Sequence, residues 1–255
     1  MTSKLVRLAV LFLSSVVLGT FLWAQPVRPA ACSNGSLTGR YGFAINGTAN
    51  DNPITAVGQI ATNGNGTLAG NETISENGTL GNLLGVLGTY AIKSNCTGTM
   101  TIQAAGHSKQ NFNVTVISGG KQIVMVQTDN GTTESGTAQA QVSKSCSLAG
   151  VKGTYGLQGA GTEIGVGPLA FAGQITLRAG GTLSGNQITS VNGSISTKQK
   201  ISGAYKVGHQ CQGAAVIEVD NQGPIHLNLI VVNGGQEILF IQGDSNTLVS
   251  GSLQR

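Results

Sequence analysis

The chain is written twice. CSNGSLTGRYGF, from Cys32, lies over CSLAGVKGTYGL, from Cys146, aligning Cys32 with Cys146, Gly39 with Gly153, Tyr41 with Tyr155 and Gly42 with Gly156 at an offset of 114. One inserted residue later the offset becomes 115 and holds. GQIATNGNGTLAGN from Gly58 matches GQITLRAGGTLSGN from Gly173, and GTYAIKSNCTG from Gly88 matches GAYKVGHQCQG from Gly203. Gly119, Gly120, Ile123, Gln127 and Asp129 then fall on Gly234, Gly235, Ile238, Gln242 and Asp244. A duplication over almost the whole length demands two like units. Each is about 110 residues, enough to bury its own core. The seam near residues 140–145 divides a first unit, 32–142, from a second, 143–255.

The period inside a unit is that of a strand. Phe112, Val114 and Val116 alternate with Asn113 and Thr115, and Leu227, Leu229 and Val231 repeat the alternation around Asn228, which turns one apolar face to a core. The turns SGGK and NGGQ follow, then the apolar runs IVMV and ILFI. Glycine in such links supplies positive φ cheaply, so these pairs read as hairpins. The first copy holds eight strand candidates, near 39–48, 54–62, 67–75, 87–93, 98–105, 110–118, 121–128 and 133–141. Short links make sequential neighbours antiparallel. The expected fold is therefore all-β, two tandem antiparallel eight-stranded up-and-down barrels, with β-sandwiches as the alternative. Composition favours closure. Only 9% of residues are charged, against about 25% in ordinary domains, so exposed sheet edges would lack the charges that usually protect them.

Before the first unit, Lys4 and Arg7 precede an apolar run from Leu8 to Trp23, and Ala24, Ala30 and Ala31 follow. That order is a secretory signal peptide over residues 1–31, cleaved after Ala24 or Ala31. The run is shorter than the roughly 20 residues of a comfortable membrane span, so no span is expected after cleavage. Cys32 also follows two alanines as a lipid-modified cysteine would, but Pro29 stands where leucine is usual. Removing Lys4, Arg7 and Arg28 takes the basic residues from 14 to 11 against 10 acids, and the formal charge from +4 to +1. No basic stripe interleaved with aromatics remains, which excludes nucleic acid and leaves nothing for an anionic membrane.

An even number of cysteines in an exported chain predicts disulfides. Each copy has one at its start and one 64 or 65 residues later, and a unit that once existed alone could pair only its own two. Cys32 should join Cys96, and Cys146 should join Cys211. Metal ligation is the rival, but no Cys-x-x-Cys occurs and no metal or cofactor is expected.

Catalytic equipment is missing. His107, His209 and His226 face Gln222, Ser94 and Asn111 in the other copy, so no histidine belongs to the duplicated plan. No serine sits in a Gly-x-Ser-x-Gly elbow, and no acid pair suited to glycoside hydrolysis recurs. Asp129 and Asp244 do recur, just past the last apolar run, where an aspartate caps a turn. The doubled Asn-x-Ser/Thr triplets at Asn77 and Asn192 read as turn chemistry. Three amide pairs are doubled: Gln59 with Gln174, Asn71 with Asn186, and Gln127 with Gln242. Gln127 shares a strand face with Ile123 and Met125, as Gln242 does with Ile238 and Phe240. If those faces point inward, each is an amide among aliphatics that must be hydrogen-bonded, and it could orient a small ligand in a barrel mouth. Gln127, Gln242, Tyr41 and Tyr155 are the candidate ligand-binding residues.

The order GxYGF, GQ…GNGTLxGN, GTY……CxG, V(I/V)xGG(K/Q)(E/Q)I…QxD and SGTAQ resembles a group of uncharacterised exported bacterial proteins. The resemblance covers nearly all of both copies and implies a secreted, periplasmic or cell-surface setting. It brings no catalytic residue. The eight-strand pattern with a Gly-x-Tyr opening is also similar in architecture to small barrels of the avidin and lipocalin type, calycin-like, although the tryptophans of a biotin pocket are absent. The expected function is a non-catalytic secreted or cell-envelope module that binds or builds, its partner a small apolar ligand or a cell-surface component. A small-molecule carrier with one pocket per barrel is the alternative, and an isomerase or cyclase on a small barrel ranks third.

Overall fold

A computed structural model describes residues 31–142, 146–220 and 222–255. The signal-peptide reading therefore falls, but for Ala31, outside the described residues. Residues 31–255 form one compact unit.

The first copy is a closed barrel of eight antiparallel strands in sequence order: β1 (Thr38–Ala49), β2 (Asn52–Asn63), β3 (Thr67–Glu76), β4 (Thr79–Ile92), β5 (Thr97–Ala104), β6 (Gln110–Ile117), β7 (Gln122–Gln127) and β8 (Ser135–Ala140). It closes where β8 pairs with β1, Tyr41 opposite Ala140 and Asn46 opposite Ser135. The second copy repeats this with β9 (Gly153–Glu163), β10 (Gly167–Leu177), β11 (Thr182–Val191), β13 (Gln199–Val207), β14 (Gln212–Val219), β15 (Ile225–Val232), β16 (Glu237–Gln242) and β17 (Thr247–Gln254), closed by β17 on β9. A two-residue strand, β12 (Ser194–Ile195), hangs beside β11. The fold is two barrels rather than two sandwiches, and closure leaves neither main sheet an open edge.

Seven of the eight expected strands stand close to their positions. The fourth begins at Thr79 instead of residue 87. Its first half reads TLGNLLGV, without clean alternation, because the β3–β4 register shifts between Glu72 and Ile74 and Leu83 takes a φ of +50°. The second copy breaks at the same place, into β12 and β13.

Each barrel is plugged at one end by its own N-terminal segment. In barrel 1 a 3-10 turn, Asn34–Ser36, delivers the fully buried Leu37. In barrel 2 a single helical turn, α1 (Leu148–Val151), delivers Val151, and the Ser147 hydroxyl caps it by accepting from Gly150 N–H at 3.1 Å. The disulfides pair as expected, Cys32 with Cys96 and Cys146 with Cys211, with Cα atoms 4.9 and 4.7 Å apart. Each ties the plug to the start of the fifth strand. Four tyrosines complete this end. Tyr41 donates to the Gly120 carbonyl at 2.6 Å, and the Tyr155 hydroxyl lies 2.8 Å from the Gly235 carbonyl. Tyr90 donates to Leu37 and Tyr205 to Arg178. The Gly-Gly turns that receive the first pair run through left-handed backbone, with φ of 65° and 89° at Gly119 and Gly120 and 65° and 82° at Gly234 and Gly235. Few residues but glycine tolerate that conformation. Asn77-Gly78 and Asn192-Gly193, both positive in φ, make tight two-residue turns, which agrees with the turn chemistry read there from the sequence.

The barrels pack side on. The outer face of β1 and β2 meets the outer face of β15, β16 and β17, with Ala44 and Val57 against Ile230, Val232, Leu239 and Ile241. Polar contacts rim it. Ser250 donates to Asn46 at 2.7 Å, Ser75 to the Thr247 carbonyl at 2.6 Å, Gln139 to Glu237 at 2.5 Å, and Gln212 to Asn71. This contact explains why LIVV and ILFI are unbroken apolar runs: Leu229–Val232 and Ile238–Ile241 are buried on both sides, by the barrel's own core and by its neighbour. No helix among the described residues is long and apolar enough to cross a membrane.

Candidate functional site

Barrel 2 is hollow. A cavity of about 670 Å³ occupies its interior and reaches the end opposite the plug, where the β9–β10, β14–β15 and β16–β17 hairpins form a mouth. Such a volume suits a small organic ligand. The strand period builds the walls: alternate residues of each strand point inward, and most of them are apolar. Leu157, Leu183, Tyr205 and Phe240 line the deeper part, and Ala215 and Ile217 line one side. Phe171 stacks on Phe240 with ring centroids 6.3 Å apart.

Polar groups gather toward the mouth. Buried Gln187 donates through Nε2 to Thr189 at 3.0 Å, and Thr189 donates to Gln199 at 2.8 Å. Gln242 donates to Asp244 at 3.1 Å. Asp244 is otherwise structural. Its carboxylate accepts from His226 N–H at 3.0 Å and lies 2.7 Å from His226 Nδ1. In barrel 1, Asp129 accepts from Asn111 N–H and Asn111 Nδ2, both at 2.7 Å. These hydrogen bonds, the backbone one first, hold the Asp129 carboxyl below the usual carboxylate range. The recurrent aspartate thus clamps its turn to the start of the neighbouring strand, beyond the local cap expected from the sequence.

The interior of barrel 1 is built differently. At the inward positions equivalent to Gly159, Ala215 and Leu227 stand Ile45, Met100 and Phe112, all buried. Where barrel 2 has Gln187 and Val249, barrel 1 has Glu72 and Glu134, exposed by only 2% and 1%. Oε1 of each makes no hydrogen bond. Burial pushes the Glu72 carboxyl up to about 7. Burial, then the charges of Glu76, Glu72 and Asp129, pushes Glu134 to about 7.

Of the residues singled out in the sequence, Gln242 lines the cavity and Gln127 holds the matching place in barrel 1, donating to Asp129 at 3.0 Å with its Oε1 unpartnered. Tyr41 and Tyr155 stand at the plugged ends with their hydroxyls bound to backbone carbonyls. Burial pushes both phenols above their ordinary value. Tyr41 thus binds the Gly-Gly turn, Tyr155 also lies 2.8 Å from the Val151 carbonyl of the plug, and Tyr205 is the tyrosine that lines the cavity. Of the other doubled amides, Asn71 accepts from Gln212 of the neighbouring barrel, and Gln59 shares the outer face of β2 with Val57, which packs against that barrel. Gln187 and Ala215 were legible only as differences between the copies, glutamine against glutamate and alanine against methionine. Among the described residues no group of three or more His, Cys, Asp or Glu is placed to hold a metal. No protein-family model and no curated protein matches the chain.

Proposed function

We propose that the protein is an exported, non-catalytic binding protein that holds one small ligand with an apolar body and a hydrogen-bonding head inside barrel 2. The apolar cavity with amides and a hydroxyl near its mouth is the observation behind this reading. The aliphatic wall offers burial worth roughly 25 cal/mol per Å² of apolar ligand surface. Gln187, Thr189 and Gln242 offer a few polar contacts to orient the head. The leader and the two disulfides support action outside the cytoplasm. The ligand is assigned to barrel 2 because the cavity described lies there, while barrel 1 carries the bulkier Met100 and Phe112 at two of the equivalent inward positions.

The purified protein should take up one equivalent of the apolar fluorophore N-phenyl-1-naphthylamine, with saturable enhancement. The double substitution A215M and L227F, which copies the residues of barrel 1, should abolish it without changing the circular dichroism. Binding that survives the double substitution, or no saturable binding in the parent, would refute the assignment.

A further inference from the structure

The contact between the barrels is head to tail. A first kind of face, the outside of β1 and β2 with the flank of β3, is used by barrel 1. A second kind, the outside of β15, β16 and β17, is used by barrel 2. Because the chain is duplicated, it owns one more of each. The outside of β9, β10 and β11 on barrel 2 is the counterpart of the first face, and the outside of β6, β7 and β8 on barrel 1 is the counterpart of the second. At their margins both touch the internal contact, Gln139 of β8 donating to Glu237 and Ala172 bordering the cleft between the barrels, but elsewhere neither is covered by other described residues.

Both retain the marks of their docked twins. Ile117, Val124 and Val126 stand where Val232, Leu239 and Ile241 are buried, and they are 38%, 43% and 50% exposed. Exposed valines in a row on a sheet are uncommon on a monomer's surface. On barrel 2, Gly156, Gln174, Asn186 and Ser190 repeat Gly42, Gln59, Asn71 and Ser75 of the docked face. Ala170 and Ala172 keep its low relief, and Ile188 is 51% exposed. The grooves correspond as well. Between the barrels, Gln212, Asn228 and Ile230 wall a space of about 480 Å³ that Val57 and Asn71 close from the other side. The duplicates Thr97, Asn113 and Thr115 wall a groove of about 530 Å³ on barrel 1 that no other barrel covers.

We infer that the protein associates with further copies of itself by repeating its internal contact, the β6–β7 face of one chain seating on the β9–β10 face of the next. A heterologous contact of this kind closes a ring or propagates. In both barrels the two kinds of face lie on neighbouring sides rather than back to back, so each contact turns a corner and a small ring is the natural closure. At the centre of the β6–β7 face the side chains are smaller than their docked twins, Val124 for Leu239 and Thr115 for Ile230, so the contact between chains is weaker than the one within.

Sedimentation velocity over a hundredfold range of protein concentration should show the single chain giving way to species of two or more chains. V126D on barrel 1 and A172R on barrel 2 alter exposed positions, and each should leave a monomer with unchanged circular dichroism. Mixed in equal amounts they should restore a two-chain complex and nothing larger, because one chain keeps an intact β9–β10 face and the other an intact β6–β7 face. A parent that stays monomeric throughout would overturn the inference. So would an A172R that still self-associates, the result expected if β6–β7 faces paired with each other.

Discussion

Barrel 1 and barrel 2 share a strand order, a plug, a disulfide, a tyrosine pair and an aspartate clamp, and they differ in what they enclose and what they cover. Most of what is held in common lies at the plugged end or in the turns, where closure is fixed, with Gly42, Gln59 and Asn71 recurring on the outer wall as Gly156, Gln174 and Asn186. The differences lie in inward residues toward the other end and in outward residues on two faces. The plugged end of a small barrel is a packing problem with one good solution. The open end and the outer wall are free to diverge, and here one copy keeps a cavity while the other holds two buried acids.

The largest effect should come from exchanging the interiors. M100A with F112L would give barrel 1 residues of the hollow barrel, at a cost of about 5 kcal/mol, since Met→Ala alone removes 2–5 kcal/mol from a packed core. If the equivalence of the two interiors holds, the same variant gains a second site for the fluorophore. The reciprocal A215M with L227F should change stability by no more than about 1 kcal/mol, because those side chains enter space that is already open, whereas overpacking a filled core costs about 1–3 kcal/mol. Urea unfolding of the two variants decides it. Equal losses would mean that the interiors do not differ in packing.

The buried acids of barrel 1 predict a pH dependence that barrel 2 lacks. Glu72 and Glu134 titrate near 7 in the folded barrel and near 4.3 in an unfolded chain. Between these values the folded state holds more protons than the unfolded one, so stability falls as pH rises and the loss is complete above about 7. At 1.36 kcal/mol per pH unit, each group contributes at most about 4 kcal/mol. E72Q and E134V, which install the residues of barrel 2, should each make the protein more stable at pH 8 while changing little at pH 4.5. Chemical unfolding at the two pH values tests this. A parent equally stable at both would show that the carboxyls find partners on ionising.

Much of the architecture was legible in the residues. Duplication, period-2 alternation and Asn/Gly turns define barrels, because each follows from local backbone chemistry repeated in register. The disulfides followed from the same symmetry. The first half of β4 was not legible, since the bulge at Glu72–Ile74 and the positive φ of Leu83 disrupt the alternation that marks a strand. The cavity was not legible either. It depends on the sum of inward volumes around a closed wall, to which Ala215 for Met100, Leu227 for Phe112 and Phe171 for Ala56 contribute with opposite signs. The contact between barrels left a trace in the doubly buried LIVV and ILFI, but a continuous apolar run does not name what covers its second face.

The smallest predicted effect isolates that contact with a single methyl group. Gly42 and Gly156 are the same position in the two copies, and neither needs a left-handed backbone, so what separates them is space. A β-carbon on Gly42 would collide with Cγ1 of Val232 and lie 2.5 Å from Cγ2 of Ile230, side chains held by the buried β15 face. A β-carbon on Gly156 would find nothing nearer than the Gln254 carbonyl at 3.6 Å. G42A should therefore cost about 2 kcal/mol, the range of overpacked sites. G156A should cost nothing or add about 0.5 kcal/mol, as the unfolded chain loses freedom and the strand loses a glycine. Measured by urea unfolding at protein concentrations low enough to keep chains apart, the two should differ in sign or by at least about 1.5 kcal/mol. Matching values would mean that β1 does not lie against β15, and the head-to-tail contact between the barrels would fall with that result.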